Sequence, residues 1–217
     1  MPVHIILNYI AIAILLLAAA IGGLRYKQLD GAARIIFYVV CLGFLAEVAA
    51  RAVAVWTGNN MAVYNIYSLA EYCLMCAYFH CSLPQLRRRG AGLIIAGAGL
   101  GLGILNTIFL QPITTLNSYF LYFEGIVVIG LSLFSFFCRL LVSDGQHLYR
   151  FMHFWLPVIF CAYWAITFFN WGLYSYFLVA QKEWLNVINN FIVVVSILCD
   201  LAIALVFWRL PKFQKQA

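Results

Sequence analysis

The stretch HIILNYIAIAILLLAAAIGGLRYK (4–27) decides the fold. It is apolar from His4 to Ile21 apart from Asn8, and crossing a hydrocarbon core about 30 Å thick takes about 20 such residues. No Lys or Arg precedes it, while Arg25 and Lys27 follow it. A cleaved signal peptide has the opposite polarity, with its positive charge ahead of the apolar run. The run therefore reads as a first transmembrane helix, and the basic residues behind it mark the cytoplasmic side.

The rest of the chain repeats this pattern. Of 217 residues, 66% are hydrophobic and 9% charged, with a mean hydropathy of +0.98, whereas a soluble domain carries about 25% charged residues. Such a chain lacks the polar surface to cover itself in water. Disordered, fibrous and nucleic-acid-binding classes are thereby excluded. The seven cysteines lie inside apolar runs without regular spacing, and Cys73 and Cys76 form a lone C-x-x-C. No disulfide framework is expected, and these thiols read as small packed hydrophobes. Reading from breaker to breaker gives seven spans, about 4–22, 34–56, 62–83, 91–110, 117–141, 150–171 and 184–208. The expected fold is all-α, a single seven-helix transmembrane domain over 1–217, whose short loops make sequential helices neighbours.

The connections alternate in charge. Arg25, Lys27 and Arg34, then Arg87, Arg88 and Arg89, then Arg139 and Arg150, and finally Arg209, Lys212 and Lys215 fall on one side. The turns TGNN, QPITT and GLYSYFLVAQKE on the other side hold only Lys182. The positive-inside rule predicts an N-terminus outside and a C-terminus in the cytoplasm, in a multi-pass membrane protein. The +6 net charge thus records orientation before any anionic partner. In span 4, Gly97/Gly101 and Gly99/Gly103 set small residues four apart, a spacing that lets helices approach closely, within the bundle first and through a homodimer seam second.

Polar groups inside a membrane normally face the bundle interior or a wet cavity, so their depth carries the functional signal. All ten asparagines lie in the outer half or the outer turns. Asn65, Asn117 and Asn186 stand in first turns, where an amide can cap orphan N–H groups. Deeper lie Glu71 and Glu47, each about 13 Å from the outer end of its helix, and Glu124 at about 10 Å. Glu47 and Arg51 are four apart and meet on one side of span 2. Tyr67 and Glu71, Asn117 and Glu124, and Asn186, Asn189 and Asn190 each share a helical stripe. If the stripes converge, Glu47, Arg51, Tyr67, Glu71, Asn106, Asn117, Glu124, Asn170, Asn189 and Asn190 line an outward-facing chamber rimmed by Trp56, Tyr64, Tyr119, Tyr122, Trp171 and Trp184, although Trp56 and Trp184 read first as interfacial belt residues. Three carboxyls face one guanidinium there, so the remainder must be protonated, hydrogen-bonded or matched by a cation. In the inner half Asp200 is the only acid well inside a span; it reads first as the buried partner of Arg139 or a histidine and second as part of a proton relay.

Catalytic constellations are missing. His80, His147 and His153 share the inner side, but no H-x-x-x-H or H-E-x-x-H spacing joins them, so no metal or cofactor is expected. Lys182 precedes span 7 and Lys212 and Lys215 follow it, which removes a retinal Schiff base. The segments YNIYSLAEY (64–72), LNTIFLQ (105–111), NSYFLYFEG (117–125) and FWLPVIFCAYWAITFFN (154–170) resemble small bacterial seven-helix integral membrane proteins. That resemblance implies the fold and the membrane, and brings no activity. Topology also suggests seven-helix receptors by architecture alone, without their D-R-Y triplet. Pro84–Gln85 invites comparison with Pro-Gln sugar transporters, but the second half has no matching dipeptide.

Of three classes, a receptor-like sensor for a small polar or cationic ligand comes first, its output passing through the arginine-rich inner loops to a cytoplasmic partner. A small-molecule or ion transporter comes second, since it needs access from both sides and polar residues crowd the outer half. A lipid-modifying enzyme comes third, for want of a nucleophile or metal set.

Overall fold

The computed structural model describes residues 3–142, 151–180 and 182–214, and over them the chain forms eight α-helices and no strand. In order these are α1 Val3–Leu24, α2 Gly31–Thr57, α3 Met61–Ser82, α4 Pro84–Arg88, α5 Ala91–Phe109, α6 Ser118–Val142, α7 Met152–Ala180 and α8 Lys182–Gln214, with a 3-10 turn at Tyr26–Gln28 between the first two. His147, Arg150 and Lys215 lie outside the described residues.

The breakers act through identifiable groups. Asp30 caps α2 by accepting from the Ala33 N–H at 2.8 Å, which satisfies one of the orphan donors of the first turn. Gly58 ends α2 at φ 71°, a left-handed conformation that glycine adopts without penalty. Pro84 opens α4, where its missing N–H costs nothing. Gly90, at φ 63°, turns the chain into α5.

One boundary differs from the sequence reading. Residues 172–183, expected as an outer loop, are almost entirely helical, because α7 continues to Ala180 and α8 begins at Lys182. GLYSYFLVAQKE contains no proline, and its Leu, Phe, Val and Ala sustain a helix begun upstream. The 29 residues of α7 extend about 44 Å, more than a hydrocarbon core is thick. This helix must therefore tilt or protrude.

Six of the described helices, α1, α2, α5, α6, α7 and α8, are long and apolar enough to cross a membrane. Helix α3, with 22 residues, spans about 33 Å but is too polar to join them, carrying Asn65, Ser68, Glu71 and His80 among its tyrosines. It is also well enclosed, with Ile66 and Cys81 its two exposed residues. The long helices form a closed ring, α1–α2–α3–α5–α6–α7–α8 and back to α1, and α3 additionally meets α6. Its Asn65, Ser68, Tyr72, Met75, Cys76, Tyr78 and Phe79 are all buried.

The outer surface of the ring is apolar, with Leu45, Ile66, Ile94, Ile108, Leu140, Phe169 and Leu198 all exposed. In water this belt would drive association; in a bilayer it is the lipid-facing surface. The bundle has two unlike ends. One carries the α2–α3 and α5–α6 turns and is rich in amides. The other carries the arginines, and there Ile36, Tyr78, Phe79, Leu83, Leu156 and Phe207 are fully buried and form a dense plug.

The α3–α5 contact depends on small residues. A Cβ on Gly99 would land on the Tyr72 ring and hydroxyl, and one on Gly103 would collide with Leu69 and Phe120. This close approach lets the Tyr72 hydroxyl donate to the Ile95 carbonyl of α5 at 2.8 Å. Gly97 and Gly101 face the other way, with open space where their Cβ atoms would be.

Candidate functional site

At the amide-rich end, side chains tie down the turn between α5 and α6. Asn65 of α3 donates to the Ile113 and Thr115 carbonyls at 3.0 and 2.7 Å, and its Oδ1 accepts from the Asn117 N–H at 3.0 Å. The Asn117 amide donates to Thr107 at 2.6 Å. Asn106 donates to Gln111 at 3.2 Å, and Gln111 in turn donates to Ser118 at 3.0 Å and accepts from the Tyr119 N–H at 3.1 Å. Asn65 and Asn117 were expected to cap their own helices. Asn65 instead satisfies the N–H at the start of α6, across the bundle, and holds two loop carbonyls that no helix could pair. Replacing Asn65 with Ala removes three bonds and leaves the buried Asn117 N–H without its acceptor, a loss of about 2–4 kcal/mol at roughly 1 kcal/mol each. Thermal unfolding is expected to show a large drop in Tm for Asn65→Ala and a smaller one for Asn59→Ala, whose amide makes two exposed bonds, donating to the Thr114 carbonyl and accepting from the Met61 N–H.

Beneath this lock lies the acidic cluster. Glu124 of α6 is fully buried, and neither carboxyl oxygen makes a hydrogen bond to any described residue. It sits within electrostatic reach of Glu71 on α3. The Tyr67 hydroxyl donates to the Glu71 carboxyl one turn along the same helix. Asp200 of α8 lies within electrostatic reach of Glu71 as well, and among the described residues no ion pair joins it to Arg139, His80 or His153, against the expected pairing. Arg139 instead donates to Ser135 at 3.4 Å and stands near Tyr78 and Asp30. Tyr163 of α7 faces both Glu71 and Asp200 and pairs with Ser196, whose own hydroxyl donates to the Ile192 carbonyl at 3.0 Å.

Glu47 stands apart from these acids, although Asp200 still feels its charge. It is held by Arg51 at 3.7 Å and accepts from the Tyr64 hydroxyl at 3.4 Å. Arg51 also donates to the Asn8 carbonyl of α1 at 3.3 Å, and its guanidinium lies 5.3 Å from the Tyr9 ring centre. The pair is about one-third exposed, so it closes one side of the cluster without being sealed away.

The ten residues expected to line one chamber thus divide into groups. Tyr67, Glu71 and Glu124 come together deep in the bundle. Glu47 and Arg51 form the flank, while Asn106 and Asn117 belong to the amide lock above. Asn170 and Asn190 are half-buried and Asn189 is exposed, so α8 contributes Ser196 and Asp200 in place of its asparagine stripe. Trp56, Trp184 and Tyr119 are exposed, and Tyr122 stacks on Phe168 at 4.3 Å.

A second polar group at the arginine-rich end was not anticipated. The His153 Nε2–H donates to Asp30 at 2.6 Å, and His153 Nδ1 faces the buried Tyr78 hydroxyl at 3.4 Å. The bond joins the start of α2 to the start of α7 beside a cleft of about 320 Å³ lined by Cys81, Ser82 and Arg87. Partial burial pushes the Asp30 carboxyl up, but the His153 bond and charge, with the Ala33 and Ala32 N–H groups, outweigh it and hold the carboxyl below its ordinary 3.8. A depressed carboxyl stabilises the fold above its unfolded value and loses that contribution as pH falls through the folded one. Asp30→Asn is therefore expected to lower Tm at neutral pH. The gap from the wild type should begin to close only below about pH 4.

No protein-family model, curated protein or solved structure matches the chain.

Proposed function

We propose that the chain is a seven-span protein of a bacterial inner membrane, with its N-terminus outside, that works as a receptor-like sensor. It binds a small polar or cationic ligand in the acidic chamber and signals to a cytoplasmic partner at the arginine-rich loops. Glu124 carries this reading. A fully buried carboxyl whose two oxygens bond no described residue, beside a second acid, is costly unless a proton or a cation joins it, and a cation or protonated amine would supply the missing positive charge. The seventh span is α3, whose polar side chains α2, α5 and α6 cover. The positive-inside distribution supports the orientation.

The apolar plug below the cluster favours a sensor over a carrier, because a dead-end chamber can bind and bias helices but offers no route through. Asp200 favours the carrier as a second reading, since it brings an acid from the arginine-rich half into the cluster. A second copy docked on Gly97 and Gly101 is the assembly compatible with either.

The test uses the purified full-length chain, screened for thermal stabilisation by monovalent cations and by primary and quaternary amines. A stabilising compound that reconstituted vesicles do not accumulate supports the sensor, and accumulation replaces it with the carrier. Absence of stabilisation by every such compound would sink the ligand site.

A further inference from the structure

Between α7 and α8 the structure has a groove of about 440 Å³ whose lining is apolar but for Tyr163 and Arg209. Ala162 and Ala202 are the small residues of its lining, set among larger ones such as Ile166, Leu198 and Leu205. Along α8 it runs from Val195 to Arg209, about 21 Å of helix, slightly more than the roughly 15 Å of hydrocarbon in one leaflet. Arg209 is its only charged lining residue and lies at one end. A second guanidinium, Arg25, sits 5.7 Å from the ring centre of Trp208, the neighbour of Arg209. Neither arginine has a carboxylate partner among the described residues.

An apolar channel about one leaflet deep, ending in the guanidinium of Arg209, matches the chemistry of one class of amphiphile. We propose that this groove holds an acyl chain of an anionic phospholipid from the leaflet at the arginine-rich end, with Arg209 on the phosphate. A zwitterionic lipid offers the same chain but a headgroup with no net charge, and a free anion has no chain to fill the groove. The occupant lies against Tyr163, so it also forms part of the wall of the acidic cluster. The proposal does not depend on that cluster binding a ligand.

The experiment is native mass spectrometry of the full-length protein in mild detergent, with phosphatidylglycerol or phosphatidylcholine of matched chains. The wild type is expected to retain phosphatidylglycerol preferentially. Arg209→Gln, an exposed substitution, should lower that preference about fivefold, the effect of one basic residue at a membrane surface, while leaving chain-dependent retention. Ala202→Phe fills the groove and should lower retention of both lipids; Ala162→Phe does so from the other wall if the first variant fails to fold. An unchanged headgroup preference in Arg209→Gln, or undiminished retention in a folded groove-filled variant, overturns the proposal. A groove-filled variant that turns a dimer into a monomer without changing lipid retention assigns the groove to a second copy and overturns it equally.

Discussion

Glu71→Gln and Glu124→Gln are expected to abolish stabilisation by the cation or amine that stabilises the wild type, while leaving the protein inserted and helical. Gln keeps the shape of the side chain and removes both the charge and the titratable proton. Losing one partner of a buried, charge-assisted contact costs on the order of 2–5 kcal/mol, roughly thirtyfold or more in affinity. The ligand-free proteins separate this from a structural role. Glu124 makes no hydrogen bond to a described residue and lies beside a like charge, so its neutralisation should leave the ligand-free Tm unchanged or raise it. A lower ligand-free Tm in Glu124→Gln, with ligand stabilisation intact, would place the residue in a structural network and remove the chamber from consideration.

Gly99→Leu is expected to be the most damaging single change to the bundle, and Gly97→Leu, two positions away, nearly silent. The first forces a side chain into Tyr72 and separates α3 from α5, where Tyr72 bonds Ile95. Overpacking of this kind costs about 1–3 kcal/mol or more, before the loss of the hydrogen bond. The second adds atoms where nothing stands within 4 Å. Denaturant or thermal unfolding in detergent resolves the difference, and sizing of Gly97→Leu reports at the same time on any dimer formed through that face.

These residues also show where sequence reading succeeds in such a protein. Apolar length and breakers locate the helices because lipid imposes both, and even polar α3 is bracketed by Gly58 and Pro84. The 172–183 segment misleads because tyrosines and the charges of its last residues resemble a loop, while it has no proline and α7 runs on to Ala180. Glu71 and Glu124 are legible as a pair because each can be counted down from the same end of the bundle. Asp200 is not legible by that route. Counted from the arginine-rich end, however, it lies about 14 Å above Arg209, and Glu71 about 17 Å above Ser82. The two therefore share a level, and Ser196, one turn before Asp200, shares its stripe. The Asp30–His153 bond joins positions 123 apart through closure of the ring, which no periodicity encodes. Asn65 suggested a cap because its real partner is an irregular turn.

The polarity of α3 has a consequence for how the chain is made. In a seven-span protein this helix leaves the ribosome before α5 and α6, two of the three helices that later cover Asn65, Glu71 and Tyr72. A single charged group at the centre of a helix costs about 2.5–3.5 kcal/mol on translocon insertion, and α3 has few strongly apolar residues to offset it. It should therefore enter the membrane together with α2, as a hairpin through the Gly58 turn, or wait at the translocon until α6 emerges. By the second route a nascent chain cut after residue 90 would leave 61–82 outside the bilayer, so that the topology of the first half is settled only when the second half arrives; by the first it would already span.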